Sequence, residues 1–148
     1  MTPSGLRLKA ESLHSIGAFK IRGAFNAILS LSDAERAAGV VAHSSGNHAQ
    51  AVAYAAERLG VAATVVMPSN APAVKMEGVR RAGAHLVLVG PASVERAERA
   101  RVLSEEKGLT LIEPFNDPAI MAGTGTIGLE ILDQARDIHT VFAPSVRR

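Results

Sequence analysis

From residue 40 onward the chain alternates short apolar runs with longer helix-patterned stretches, and this rhythm constrains the fold more than any other feature of the sequence. Residues 40–43, 62–67, 86–89 and 109–113 read as strands. Residues 48–59, 71–82 and 94–107 read as helices, stopped by Gly60, Gly83 and Gly108, with Ser93 as the N-cap candidate of the third. Strands alternating with helices build a parallel sheet, because a parallel pair needs a crossover long enough to hold a helix. The expected fold class is therefore α/β, an open parallel sheet flanked by helices. Right-handed crossovers bring the loops that follow the strands to one edge of that sheet, where ligands of such folds sit. The turn Ser44-Ser45-Gly46-Asn47 falls on that edge.

The flanks follow other patterns. Leu6 and Leu8 alternate with charged residues, which predicts a short half-buried strand. Ser15 to Ala18 reads as a loop, and from Phe19 to Leu29 apolar groups recur on one helical face. Asp33 to Arg36 adds a turn that Gly39 stops. Towards the C-terminus the expectations are a turn at 118–121, a helix over 125–135 and a strand over 140–143.

Composition narrows the functional classes. A chain of 148 residues with 47% apolar and 20% charged residues has the profile of a soluble globular protein. Its net charge is only +2, with no basic stripe, and it has four Phe, one Tyr and no Trp. Neither phosphate-backbone binding nor base stacking is supported, so no nucleic-acid partner is expected. There is no cysteine, hence no disulfide framework and no thiolate metal site. No apolar run reaches membrane-spanning length and no signal pattern opens the chain, so no membrane partner is expected and the cytoplasm is the default location.

Three motifs could carry chemistry. The strand-to-helix turn Ser44-Ser45-Gly46-Asn47-His48 offers free helix-start amides, two hydroxyls and a side-chain amide to an anion; plain N-capping explains the same residues. Lys20, between Phe19 and Ile21-Arg22-Gly23-Ala24, is either a solvated lysine at a helix start or a desolvated amine able to form a Schiff base. Gly123-Thr124-Gly125-Thr126 lacks the spacing of a phosphate or dinucleotide loop and reads as a helix-entry turn. His14, His43, His48, His85 and His139 show no metal-ligand spacing, and no metal is expected.

Taken together, these motifs resemble the fold-type II pyridoxal-phosphate enzymes, specifically the threonine dehydratase and serine racemase family. The resemblance runs from Leu6 to about Pro144. It rests on Lys9-Ala10-Glu11, Phe19 to Ala24, Ser44 to Gln50, Val66-Met67-Pro68, Ala71-Pro72-Ala73-Val74-Lys75, Gly83-Ala84, Pro114-Phe115 and Gly125 to Glu130. It implies pyridoxal 5′-phosphate as cofactor and a small amino acid as substrate. Lys20 would hold the cofactor as a Schiff base and move protons at the substrate α-carbon. Phe19 would flank the cofactor ring and Asn47 would bond its ring oxygen. Ser44, Ser45, Gly46, Asn47 and His48 would cradle the substrate carboxylate. Ser45 matches the second acid/base of racemising relatives.

The implied reaction is dehydration and deamination of L-threonine or L-serine to a 2-oxo acid and ammonia. The alternatives are racemisation, or an inactive remnant that binds at most an anion at the 44–47 turn. The family has two lobes, so 39–116 would form the small lobe, with 1–38 and 117–148 as parts of the large one. Ala18 stands where the family has serine and Thr124 where it has glutamine. After Val141-Phe142-Ala143-Pro144 the sequence runs Ser145-Val146-Arg147-Arg148, where the family enters a glycine-rich phosphate loop. The expectation is a truncated chain, with Thr2-Pro3 as the trace of a longer N-terminal segment and Arg147-Arg148 as substitute positive charge. Uncovered apolar faces on the first and last helices then predict poor solubility or a homo-oligomer.

Overall fold

The computed structural model describes residues 5–144. In chain order the elements are a 3₁₀ turn Glu11–Leu13, α1 Lys20–Leu29, α2 Asp33–Ala38, β1 Val40–His43, α3 Asn47–Leu59, β2 Ala63–Pro68, α4 Ala73–Arg81, β3 His85–Val89, α5 Ser93–Lys107, β4 Thr110–Ile112 and α6 Pro118–Gln134. The four strands form one parallel sheet in the order β3-β2-β1-β4, with Val41 beside Thr64 of β2 and Leu111 of β4. The expected α/β architecture is the one observed. The strand order changes direction at β1: β2 and β3 extend the sheet on one side and β4 lies on the other.

Strand alternation distributes the core over both faces. Val40 and Ala42 join Ala24 and Ile28 of α1, Val52 and Ala55 of α3, and Ile120 of α6 in one cluster. Val41 and Val66 point to the opposite face, where Ala100 and Leu103 of α5 cover them. Val65 and Met67 pack with Ala49 and Ala53 of α3 and Val79 of α4. The alanines of α3 are buried, which lets this helix lie close to both the sheet and α1. Gly60 and Gly108 end α3 and α5 in left-handed conformation, as their positions predict. At Gly39 the backbone also has positive φ, and a Cβ there would stand 2.8 Å from the Ala62 carbonyl, so only glycine turns the chain tightly into β1.

Four local expectations are corrected. Leu6 and Leu8 form no strand; they are 64% and 85% exposed and pair with none of the four strands of the sheet. Their neighbours are held by charge instead, Arg7 on Asp137 at 2.6 Å and Lys9 on Glu130 and on Gln134. Residues 140–143 likewise lie outside the sheet as coil. Ser93 is the first residue of α5 and Ala92 precedes it as the cap, with no side-chain hydrogen bond. The last helix begins at Pro118, seven residues ahead of the expected Gly125: Asp117 accepts from the Ala119 and Ile120 amides at 2.7 and 3.1 Å, and proline suits the first helical turn.

The Gly-x-Gly motif thus lies inside α6. A Cβ on Gly123 would stand 2.6 Å from the Arg22 carbonyl and 3.0 Å from the Gly23 Cα, so Gly123 serves the close crossing of α1 and α6, whereas Gly125 meets nothing within 4 Å. Arg22 ties the same helices, donating to Glu11 at 2.7 Å and to Glu130 at 2.6 Å. Thr2-Pro3 and Arg147-Arg148 lie outside the described residues.

Candidate active site

The carboxyl ends of β1 and β4 meet where the strand order changes direction, the place at which open α/β sheets bind ligands. His43, ending β1, donates through Nε2 to Glu113, just past β4, at 3.2 Å. Beyond β1 the chain turns through Ser44, Ser45 and Gly46 into α3. Ser44 Oγ accepts from the Gly46 amide at 3.1 Å, which shapes the turn. Gly46 caps α3 without a side chain, so capping does not consume the helix-start donors. Gln50 N is the first helix amide with a partner, Gly46 O at 3.3 Å; the amides of Asn47, His48 and Ala49 have none among the described residues. A Cβ on Gly46 would meet no atom within 4 Å, so the approach to these amides is open. Of the two sequence readings of this turn, the uncapped donors favour anion binding.

Lys20 opens α1 and is half-buried. Its Nζ donates to Pro114 O at 2.7 Å and lies 5.4 Å from the centre of the Phe19 ring. The turn after β4 makes this contact: Asn116 adopts left-handed φ of 59°, which asparagine tolerates, and Pro114 then presents its carbonyl while Asp117 caps α6. Burial lowers the Lys20 pKa, because the ammonium form loses its water and has no carboxylate partner. A larger neutral fraction makes the amine a better nucleophile.

His48 is 3% exposed, and its Nε2 donates to Ile112 O at 3.0 Å, while Nδ1 has no partner. Desolvation pushes its pKa down to about 4, and the positive charge of Lys20 adds in the same direction. The ring is buried beneath the turn, and the backbone amide of residue 48 is one of the three unpartnered donors. Asn47 is exposed at the rim, and its Oδ1 accepts from Lys75 Nζ at 2.7 Å. The Ser45 hydroxyl has no hydrogen-bond partner among the described residues. The fold thus gathers Lys20, Phe19 and residues 44–48 at one end of the sheet. Sequence reasoning assigns no role to the Pro114 carbonyl, to Glu113 or to Lys75; a backbone acceptor leaves no residue-type signal, and the other two pairings depend on strand order and helix docking. Among the described residues no three His, Asp or Glu side chains gather as a metal site.

These features define an α/β protein whose sheet end brings a half-buried amine near a helix start with three unpartnered amides. The chain belongs to the pyridoxal-phosphate dependent enzyme family, which it matches over residues 2–146. It is 47% identical to an L-threonine ammonia-lyase of Thermotoga maritima over 97% of this chain and 36% of that one. It is 45% identical to a serine racemase of Oryza sativa subsp. indica, over 94% of this chain and 41% of that one. The processed form of threonine deaminase isoform 2 from Solanum lycopersicum superposes with a TM-score of 0.83 at 45% identity, covering 88% of this chain and 38% of that one. The chain therefore spans about two fifths of the length of these relatives. The residues present fit the family's cofactor: a half-buried amine of lowered pKa suits its aldehyde, and three unpartnered amides suit an anionic group beside it.

Proposed function

We propose that this chain carries the lysine and the carboxylate turn of a pyridoxal-phosphate dependent ammonia-lyase acting on a hydroxy amino acid, L-threonine or L-serine. The observation that carries the reading is Lys20 itself, a desolvated amine without a carboxylate partner, close enough to the α3 start for its charge to act on His48. Bound pyridoxal phosphate supplies an electron sink for the substrate α-carbon. Lys20 holds the cofactor and moves the α-proton. The amides of Asn47, His48 and Ala49, with the Ser44 and Ser45 hydroxyls, bind the substrate carboxylate. Phe19 flanks the cofactor ring, and Asn47 donates to its ring oxygen. The lobe division at 39–116 belongs to the same proposal.

Borohydride treatment of the chain mixed with pyridoxal phosphate, followed by peptide mapping, tests this directly. A modification on Lys20, together with release of 2-oxobutanoate from threonine, is the expected result. Labelling spread over surface lysines overturns it, and carboxylate-induced NMR shifts at residues 45–48 without a Lys20 adduct would leave an anion-binding module.

Racemisation is the second reading, favoured by the unpartnered Ser45 hydroxyl and by the similarity to serine racemases. Ser45→Ala separates the two: in a racemase it abolishes exchange of the α-proton from the second face, whereas in a lyase the lost carboxylate contact raises KM and 2-oxobutanoate still forms at saturating threonine.

A further inference from the structure

Asn47 has a side chain whose two ends are nearly the same shape and opposite in function, one accepting and one donating two protons. An exposed asparagine at a helix start can turn either end to a ligand. Here one end is taken. Lys75, in the first turn of α4, donates to Oδ1 at 2.7 Å, and an ammonium has no acceptor with which to hold the other orientation. Nδ2 is therefore the end left free, and it has no partner among the described residues. The pairing is built into the helix docking. Three residues on from each partner, Gln50 lies over Gly78, where any side chain would collide with the Gln50 amide. Beneath them Met76 and Val79 of α4 pack against Ala49 and Ala53 of α3. The register that stacks Gln50 on Gly78 also sets Lys75 beside Asn47.

We propose that Lys75 is a positioning residue: it pins the Asn47 carbonyl so that the Asn47 amide N–H groups, and not its oxygen, face the cofactor's ring oxygen. This rests on the proposed cofactor role of Asn47. The reversed orientation would set a carbonyl oxygen against an anionic oxygen, so the lysine excludes a repulsive state as well as selecting a favourable one.

The full chain tests this with three forms: wild type, Lys75→Met and Lys75→Arg. In the cofactor-free protein, Lys75→Met is expected to shift the side-chain amide NMR signals of Asn47 and to leave those of Asn26 unchanged. Pyridoxal phosphate affinity should fall about tenfold in Lys75→Met and return to within about threefold of wild type in Lys75→Arg, with melting temperatures within a few degrees. An Asn47 signal that ignores Lys75→Met overturns the proposal, as does an unchanged affinity in a variant whose Asn47 signal has moved. A wild-type chain with no Lys20 adduct overturns the proposed function instead; it is recognised because the Asn47 signal still responds to Lys75→Met.

Discussion

His48 illustrates how one buried side chain sets a pH dependence. Its folded pKa of about 4 lies below the ordinary 6.5, so between these values the unfolded chain binds a proton that the folded chain does not. Stability therefore falls as pH drops through that window, by up to about 3 kcal/mol from this group. Glu130, held down to about 2 by Arg22 and Lys9, loses its contribution in the same direction at lower pH. Urea midpoints measured from pH 7 to 5 should decline in wild type and flatten in His48→Gln, whose amide still donates to the Ile112 carbonyl. At Lys20 the expected outcome is separation of chemistry from folding. Lys20→Ala removes the borohydride-trapped product, while the far-UV circular dichroism spectrum is retained, because the lysine contributes one hydrogen bond and no core packing.

At the scale of elements, the crossing of α1 and α6 depends on missing side chains. Gly123 meets backbone within 3.0 Å, whereas Gly128, also within α6, meets nothing within 4 Å. Alanine gains about 1 kcal/mol of helix propensity over glycine at either position. At Gly128 that gain is realised. At Gly123 the clash with Arg22 and Gly23 outweighs it, for a net loss of about 1–3 kcal/mol. Opposite shifts of the thermal midpoint for Gly123→Ala and Gly128→Ala check this pair; a shared increase would show that the helices separate freely. The same crossing brings Arg22 within reach of Glu11 and Glu130, so the 123 substitution should also raise the Glu130 pKa, readable by NMR titration.

At the scale of the whole molecule, an open apolar groove of about 540 Å³ lies between α6 and residues 138–141, lined by Gly125, Gly128, Leu129, Leu132 and Val141. Leu129 and Leu132 are more than half exposed, as are Val141 and Phe142. Contiguous apolar surface of this kind binds hydrophobic dyes and limits solubility. Leu129→Lys with Leu132→Lys is expected to lower dye fluorescence and raise the precipitation threshold without changing the thermal midpoint by more than a few degrees. No helix among the described residues is long and apolar enough to cross a membrane.

What the sequence alone determined is what local chemistry encodes. Apolar runs of strand length, helical periodicity and the glycines at 39, 60 and 108 mark the parallel α/β sheet, because strand period, helix period and left-handed caps depend on neighbours in the chain. The strand-to-helix turn at 44–48 was legible for the same reason, but its two readings, capping and anion binding, were not separable from local sequence. The tertiary structure decided the rest. It placed β4 beside β1, and so set the Pro114 carbonyl under Lys20 and Glu113 beside His43. It denied Leu6, Leu8 and residues 140–143 the partner strands without which alternation is only a pattern. It also turned Gly123, in a stretch that reads as a turn, into part of a helix crossing, because the demand for a small residue there came from α1, a hundred residues away in sequence and in contact in space.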